Sequence, residues 1–420
     1  MRHEDYSAGP AVADEVRKFY DRYPYPPPVD NLEEYQRQLQ DRERRRTDFH
    51  LFWPHRSYEE DQSISILVAG CGTAQAAKHA LRSPGAQITG IDCSAASVRC
   101  TEELKGQYKL KNLQVHQLSI EQVRDLGMQF DQILCTGVLH HLENPDAGLS
   151  ALRSVLKPDG AMHLMVYAPY GRTGVYMLQE FCRRVGIQAT DAGIRDLIRA
   201  LSALPPGHPL ESLLKQAPDL RDEAALADAL LHPQDRAYSV PQLFEFIEKG
   251  GLRFGRWLKQ STYSPRCGVM ARIPQADRIL QLSEPEQYAA VELFRGTMVC
   301  HSMIVYRDDC PGGPPPISFA GDSWLHYVPL RMPDTLCIQE RVPLGAAAVL
   351  INQRHTYRDL IMPIDSTQKQ LFDAIDGRCC IAAIMEHLSL ASQRPMPLDI
   401  VQAFFERLWW YDQVVFDASQ

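Results

Sequence analysis

The sequence lacks several features that would place it in a specialised class of protein. It has no apolar run near the roughly 20 residues that a membrane-spanning helix needs. Its first ten residues, MRHEDYSAGP, contain no apolar leader, so we expect no secretory signal and a cytoplasmic location. Internal repeats and low-complexity tracts are also missing. These absences favour an ordinary globular protein.

Paired metal-binding cysteines are missing as well. The chain has eleven cysteines, and none forms a C-x-x-C pair, which excludes a zinc ribbon and a thioredoxin-like motif. Cys379 and Cys380 are adjacent, which is an awkward geometry for a structural disulfide. Scattered single cysteines suit a reducing compartment. We therefore expect neither a disulfide framework nor a bound metal ion.

Basic residues are fewer than acidic residues. Lys and Arg number 44 against 52 Asp and Glu, which gives a formal net charge of -8. Nucleic-acid binding needs clustered cations. One stretch is rich in arginine, DRERRRTDFH at 41–50. We interpret it first as a solvated helix face and second as an anion-binding patch. We expect no nucleic-acid partner and no membrane partner.

The distribution of prolines, glycines and apolar runs divides the chain, whose length predicts two or three domains. The C-terminal part has an apolar spacing weakly similar to winged-helix or peptide-recognition modules, although ordinary core packing gives the same spacing. The predicted parts are an N-terminal arm or lid at 1–60, an α/β domain at 61–306 with a helical insertion at about 171–235, a linker at 307–317, and a small C-terminal α+β, winged-helix-like domain at 318–420.

Strand and helix patterns alternate through 61–170. Short apolar strands between helices favour a parallel sheet with helices on both faces. The segment NPDAGLSALRSVLKPDG predicts a helix that begins at Asn144 and ends at Pro158-Asp159-Gly160. The predicted strands are ISILVA, QITGID, LQVHQL, FDQILCTGV and AMHLMVYAP, followed much later by LRFGRWLKQ and TMVCHSMIVYR.

A glycine loop follows the first strand, in ISILVAGCGTAQAAK. Gly70 and Gly72 permit a tight turn and close approach of a ligand, and the next helix offers its N-terminal N–H groups. Asp92 ends the second strand 20 residues after Gly72, where an acid can accept hydrogen bonds from both ribose hydroxyls. Gln75 stands where a dinucleotide loop would have its third glycine, so a sulfonium nucleoside is favoured and a dehydrogenase is the weaker alternative.

Four segments together, VAGCGTA, TGIDCSAAS, FDQILCTGVLHHLENP and LKPDGAMHL, resemble the class I S-adenosylmethionine-dependent methyltransferases over about 61–306. The resemblance implies a Rossmann-like seven-stranded sheet, S-adenosyl-L-methionine as cofactor, and methyl transfer to an O, N or S nucleophile. Two departures stand out: Ala74 replaces a frequent third glycine, and Ser119 replaces the acid that often binds the adenine amino group. The cofactor-binding residues that it implies are Gly70, Cys71, Gly72, Asp92, Cys93, Ser119 and Thr136.

Two histidines follow the fourth predicted strand. His140 and His141 stand at the carboxyl edge of the sheet, where ligands bind in such folds, and an imidazole titrates near neutral pH. We predict that one of them is a general base; capping and packing of the next helix is the alternative. His163 lies within a strand and is predicted to be a satisfied core residue.

Several aromatic residues stand in segments that could lie at the same edge of the sheet. If the segment FYDRYPYPP covers that edge, its tyrosines contact the substrate; otherwise they anchor the arm on the surface. YAPYGRTG follows the fifth predicted strand and faces the same edge. The predicted substrate-binding residues are Tyr20, Tyr23, Tyr25, Tyr167, Tyr170 and Arg172.

The acceptor of the methyl group stays open at this level. A small molecule is the first choice, because the chain is acidic and inserted elements cover the predicted site. A peptide or protein presented by the C-terminal domain is the second. A scaffold that binds S-adenosylmethionine without catalysis is the third, and the missing acid at Ser119 slightly favours it.

Overall fold

A computed structural model describes residues 11–29, 31–33, 35, 41–59, 63–211, 214, 222–310 and 316–419. Residues 311–315 of the predicted linker and parts of the arm and the helical insertion lie outside these residues. The chain forms two compact units, each discontinuous in sequence. The first unit comprises Met1–Gln38, Ser63–Phe254 and Arg295–Asp309, and the second comprises Leu39–Gln62, Gly255–Phe294 and Cys310–Gln420.

This division differs from the domain boundaries that we predict from the sequence. The sequence assigns residues 39–60 to the arm and 255–294 to the α/β domain, whereas the compact units group both segments with 310–420. The predicted boundaries between independent domains therefore remain a prediction.

A seven-stranded sheet dominates the first unit, in the order β3-β2-β1-β4-β5-β7-β6. β1 pairs in parallel with β2 and β4, and β7 pairs antiparallel with β5. The carboxyl ends of the central parallel strands therefore meet at one edge. The strands of the sheet are β1 (Ser65–Ala69), β2 (Gln87–Asp92), β3 (Leu113–Gln117), β4 (Phe130–Thr136), β5 (Leu156–Tyr167), β6 (Leu252–Trp257) and β7 (Cys300–Arg307).

Helices occur in both units, and the α-helices whose whole extent the structure describes are numbered here in chain order. They are α1 (Ala11–Arg22), α2 (Arg42–Phe52), α3 (Gln75–Arg82), α4 (Ala95–Tyr108), α5 (Pro145–Val155), α6 (Thr173–Val185), α7 (Asp191–Ser202), α8 (Glu223–Leu231), α9 (Val240–Lys249), α10 (Gln260–Tyr263), α11 (Ala276–Leu280), α12 (Glu284–Arg295), α13 (Ser366–Asp373), α14 (Ile381–Ser392) and α15 (Leu398–Trp410). Short 3-10 helices lie at Ile120–Leu126, Leu139–His141, Met270–Arg272 and Ser323–His326.

The end of α5 corrects one prediction. Its start is as expected, because the Asn144 side chain accepts from the Ala147 N–H at 3.0 Å. The helix ends at Val155, however, and the KPDG residues belong to β5, where the pairing with β4 shifts register between Phe130 and Gln132. Lys157 explains the difference, since its Nζ donates to Asp131 Oδ2 at 2.8 Å and holds this segment against the sheet.

His163 is paired, as the sequence predicts, although it is only partly buried. It lies on β5, and its Nε2 is 2.7 Å from Ser302 Oγ on β7. Burial lowers the pKa of His163 to about 4, so the ring is neutral near pH 7. It is a structural histidine within the sheet.

The second unit contains two small antiparallel sheets. β8 (Val328–Arg331) pairs with β12 (Val414–Asp417), and β9 (Thr335–Ile338), β10 (Ala348–Asn352) and β11 (Ile361–Ile364) form the other in the order β11-β10-β9. Phe404, Phe405 and Leu408 of α15 pack with Phe416 of β12 in its core. These sheets and helices confirm the predicted α+β class, while the winged-helix likeness stays a prediction.

A buried aspartate in the second unit, Asp417, predicts that the stability of the protein depends on pH. Asp417 accepts from Arg46 Nη2 at 2.8 Å and from the Ser419 hydroxyl at 2.6 Å, and His50 Nε2 lies 3.4 Å away. Burial alone would raise the pKa of Asp417, but these neighbours hold it well below its ordinary value. The folded pKa is thus below the unfolded one, so the stabilisation is complete above about pH 4 and is lost as the pH falls.

We expect Asp417→Asn to remove this acid-sensitive stabilisation. Between pH 5 and pH 2.5 the wild type should lose about 1 kcal/mol more of its free energy of unfolding than the variant does. Urea denaturation at both pH values measures this, with the exposed Asp399→Asn as the control that should follow the wild type. Equal losses in wild type and Asp417→Asn would contradict the assignment.

Candidate functional site

A cavity of about 350 Å³ lies at the carboxyl edge of the sheet in the first unit. This volume falls within the usual range for pockets that hold small molecules, and the edge is where open α/β sheets bind ligands. Residues at or after the ends of four adjacent parallel strands line it. They are Gly70 and Gly72 after β1, Asp92 and Cys93 at β2, Thr136 at β4, and Met165 and Tyr167 at β5.

The glycine loop forms one wall. Gly70 and Gly72 have φ values of +70° and +53°, the left-handed region that glycine tolerates best. A Cβ on Gly70 would lie 2.4 Å from Val138 Cγ2, and one on Gly72 would lie 3.2 Å from Pro26 Cδ. The N–H groups of Gly70 and Cys71 both donate to the Ile91 carbonyl at 2.9 Å, which ties the loop to β2.

Asp92 is fixed by the loop that it faces. Its Oδ2 accepts from the Gly72 N–H and its Oδ1 from the Ser94 N–H, both at 2.9 Å. Burial raises the pKa of Asp92, while the two backbone donors favour its ionised form. Each carboxylate oxygen keeps a further acceptor direction, so the pair can receive two hydroxyl groups of a ligand.

A second wall follows β3. Leu118, Ser119, Ile120 and Glu121 line the cavity, and the Ser119 hydroxyl donates to Gln122 Oε1 at 3.2 Å. Ser119 therefore lies where the sequence predicts. Glu121 is a lining residue that the resemblance does not predict, since the family's acid is expected at the position of Ser119. The acid two residues later in HQLSIEQV was the available signal.

The N-terminal arm forms a third wall. Tyr25 and Pro26 lie against Gly72, and the Thr73 hydroxyl donates to the Pro26 carbonyl at 2.8 Å. At the end of α1, Asp21 accepts from the Ser94 hydroxyl at 2.9 Å and from the Ala96 N–H at 3.3 Å. These bonds connect the arm to the same loops that carry Gly72 and Asp92.

A buried acid from the helical insertion joins the arm to β5. Asp228 on α8 is 3% exposed, and it accepts from the Tyr20 hydroxyl at 2.9 Å and the Tyr167 hydroxyl at 3.5 Å. Burial raises the pKa of Tyr20 and of Tyr167 well above the ordinary value, so both phenols stay protonated donors. The sequence analysis missed Asp228, although a single acid within EAALADALL, an otherwise apolar run after its first residue, was a usable signal.

The two predicted catalytic histidines differ in position. His141 lines the cavity, and its Nδ1 lies 2.7 Å from the Gln234 carbonyl. Because a carbonyl only accepts, Nδ1 carries the proton and Nε2 keeps its lone pair. His140 is 0% exposed, does not line the cavity, and stacks at 3.9 Å between ring centroids on Tyr167. Burial lowers the pKa of His140 well below its ordinary value.

Some predicted site residues do not line the cavity. Cys71 is buried within the glycine loop, and the Tyr23 hydroxyl donates to Asp191 Oδ1 at 3.3 Å. Tyr170 is 40% exposed. Arg172 lies behind Tyr167, with its Cζ 3.5 Å from that ring centroid, and forms an ion pair with Asp235. Tyr20, Tyr25 and Tyr167 are the predicted substrate residues that line the cavity.

Comparison with known proteins identifies a domain within the first unit. Residues 67–162, from β1 into β5, match the family model Methyltransf_12, which describes a methyltransferase domain. The chain contains a methyltransferase domain. The matched residues belong to the seven-stranded sheet of the first unit. This sheet, with its surrounding helices, confirms the predicted fold class.

Two curated relatives cover part of the chain. An uncharacterized protein of Synechococcus sp. is 34% identical over 254 residues, which span 59% of this chain and 61% of that protein. A malonyl-[acyl-carrier protein] O-methyltransferase of Halalkalibacterium halodurans is 29% identical over 149 residues, 34% of this chain and 52% of that enzyme. The matched region thus spans between half and two thirds of these relatives.

A solved structure resembles the methyltransferase domain and most of the remaining chain. PKMT2 from Rickettsia typhi has a TM-score of 0.60 at 15% identity, and the match covers 91% of this chain and 75% of that one. Its complex with AdoHcy gives a TM-score of 0.59 at 14% identity, with 94% of this chain and 75% of that one covered. At this identity the likeness concerns the fold.

Proposed function

We propose that the chain binds S-adenosylmethionine in the cavity of about 350 Å³ and transfers its methyl group to a nucleophile of a small molecule. The observation that carries this proposal is Asp92, whose two oxygens are held by the Gly72 and Ser94 N–H groups at the cavity wall. A carboxylate fixed in this way matches the two hydroxyls of a ribose.

The walls suggest an orientation for the cofactor. With the ribose on Asp92, the adenine lies toward Leu118–Glu121 and the methionine part lies along Gly70–Gly72 beside Thr136. The sulfonium methyl then faces the region between His141, Tyr167 and Asp228. Because the sulfur already activates the methyl group, the protein has mainly to align the acceptor in line with the S–C bond and exclude water.

A second cavity beside the first favours a small-molecule acceptor. A second cavity of about 630 Å³ shares Val16, Cys93, Glu121 and His141 with the first. The arm and α8 cover the cofactor cavity through Tyr20 and Asp228, so a compact acceptor fits this arrangement better than a folded protein does. The acceptor atom is an O, N or S nucleophile.

Labelled methyl transfer tests the class of acceptor. Full-length protein is incubated with methyl-labelled S-adenosylmethionine and a lysate separated into low-mass and macromolecular fractions. We expect label in the low-mass fraction. Label on the protein fraction would favour a peptide or protein acceptor, and binding of the cofactor without transfer to either fraction would favour a scaffold.

The cellular compartment of the reaction is also proposed. In the part of the chain that the structure describes, no helix is both long enough and apolar enough to cross a membrane. All eleven cysteines are free thiols, in keeping with a reducing compartment. We place the reaction in the cytoplasm, which fractionation of cells that express the full-length gene would test.

The arm contact gives a separate prediction. Thr73→Val removes the bond from the Thr73 hydroxyl to the Pro26 carbonyl and keeps the side-chain shape. Since one such bond is worth about 1 kcal/mol, we expect about fivefold weaker binding of S-adenosylmethionine by calorimetry. Thr173→Val, which removes an exposed bond to the Tyr170 carbonyl, is the control. Equal affinities of both variants would show that the arm contact does not support the site.

A further inference from the structure

A cluster of buried polar side chains lies beside the cofactor cavity. Its members are His140, His141, His232, Asp228 and Asp235. Several of their atoms are buried without a hydrogen-bond partner among the described residues, namely both ring nitrogens of His140, Nε2 of His141, Nε2 of His232 and Oδ1 of Asp235. Buried polar atoms are nearly always paired, so this concentration points to a group from outside the chain.

Three of these residues have the donor set of a metal site. One ring nitrogen of His140, one of His141 and a carboxylate oxygen of Asp235 lie within 4.8 Å of one another. Ligands at about 2.0–2.2 Å from a shared tetrahedral ion lie roughly 3.3 Å apart, so small side-chain rotations close the site. We propose that His140, His141 and Asp235 bind a first-row divalent transition-metal ion of the Zn²⁺ type.

Neighbouring groups orient two of the three ligands. His141 donates from Nδ1 to the Gln234 carbonyl at 2.7 Å, which leaves the Nε2 lone pair free. Asp235 Oδ2 accepts from Gln179 Nε2 at 2.9 Å and from Arg172 Nη2 at 3.2 Å, which leaves Oδ1 free. Outer hydrogen bonds of this kind hold metal ligands in known sites.

A second set, His141 with Asp228 and His232, is equally compact but less suitable. His232 Nδ1 accepts from the Gln234 N–H at 3.0 Å, so the neutral ring carries its proton on Nε2 and has no lone pair there. Both oxygens of Asp228 already accept tyrosine hydroxyls. We therefore assign these two residues to the surroundings of the ion.

The local charges accommodate a cation. Two carboxylates with buried side chains, Asp228 and Asp235, lie in this cluster, and of these Asp235 pairs with Arg172. The proposal differs from the expectation of no metal site, and it gives His140 and His141 the role of ligands instead of that of general bases. Because His141 also lines the cavity, an acceptor oxygen or nitrogen can become a further ligand of the ion, a step that rests on the proposed function.

Metal content of the untagged, full-length protein tests the proposal. After treatment with a chelator and dialysis against Zn²⁺, we expect one ion per chain by mass spectrometry, and a tetrahedral absorption spectrum when Co²⁺ replaces Zn²⁺. His140→Ala and Asp235→Asn should each weaken binding at least 100-fold. His232→Asn, outside the ligand set, and His163→Ala, at a histidine paired within the sheet, should keep the ion.

The outcomes separate this site from the proposed function. Absence of an ion in the wild type, or equal loss of the ion in His163→Ala and His140→Ala, would overturn the metal site. If His140→Ala does not fold, X-ray absorption of the wild-type zinc complex decides, with two imidazoles and one carboxylate expected and a sulfur-bound or fully hydrated ion as the contradicting result. Calorimetry with S-adenosylmethionine on the same samples reports separately on the cofactor cavity.

Discussion

Asp92→Ala is expected to weaken the binding of S-adenosylmethionine by at least about 100-fold. Hydrogen bonds to a charged acceptor are worth about 1.5–3 kcal/mol each, and each 1.4 kcal/mol corresponds to a factor of ten. The variant loses two such bonds to the ribose, and it also leaves the Gly72 and Ser94 N–H groups without their acceptor. Isothermal titration calorimetry measures the effect.

Two matched variants sharpen this measurement. Asp92→Asn keeps one acceptor oxygen and should fall between the wild type and Asp92→Ala, whereas the exposed Asp125→Ala should bind as the wild type does. Burial raises the pKa of Asp92, so wild-type affinity should begin to fall at a higher pH than for an exposed aspartate as the solution is acidified. Unchanged affinity in Asp92→Ala would remove the basis for the ribose assignment.

Gly70→Ala is the second large effect that we expect. The φ of +70° disfavours any Cβ by about 1–2 kcal/mol, and the new carbon would meet Val138 Cγ2 at 2.4 Å. Overpacking of this kind costs a further 1–3 kcal/mol or so, a large share of the roughly 5–15 kcal/mol that stabilises a typical protein. We expect a clearly lower melting temperature and loss of cofactor binding.

Two other glycines separate the causes. Gly127 has a φ of +62° with open space around its position, so Gly127→Ala bears only the backbone cost. Gly106 lies in α4 with open space, and Gly106→Ala should stabilise the protein by about 0.5–1 kcal/mol. If Gly70→Ala is no more harmful than Gly127→Ala, close packing against Val138 is not what requires glycine there.

Local features of the site were predictable from the sequence. Gly70, Gly72 and Asp92 follow from strand–loop–helix patterns whose members are close together along the chain, and the structure places them in one cavity wall. Thr136 and Ser119 follow from the family resemblance, and they stand near the end of one predicted strand and just after another. The carboxyl ends of parallel strands meet at one edge, whatever the rest of the chain does.

Long-range features were not predictable in this way. Tyr20 and Asp228 are 208 residues apart in sequence, and their contact depends on how the arm and α8 fold over the sheet edge. Nothing local distinguishes Tyr167, which lines the cavity, from Tyr170, which is 40% exposed. The shift of KPDG from a helix end into β5 likewise depends on a partner, Asp131, on the neighbouring strand.

Titration of the full-length protein with S-adenosylmethionine tests the central claim most directly. We predict saturable binding at one site, competition by S-adenosylhomocysteine, and no comparable binding of NAD, because Gln75 replaces the third glycine of a dinucleotide loop. No saturable binding of S-adenosylmethionine, or tighter binding of NAD, would contradict the assignment of the cavity.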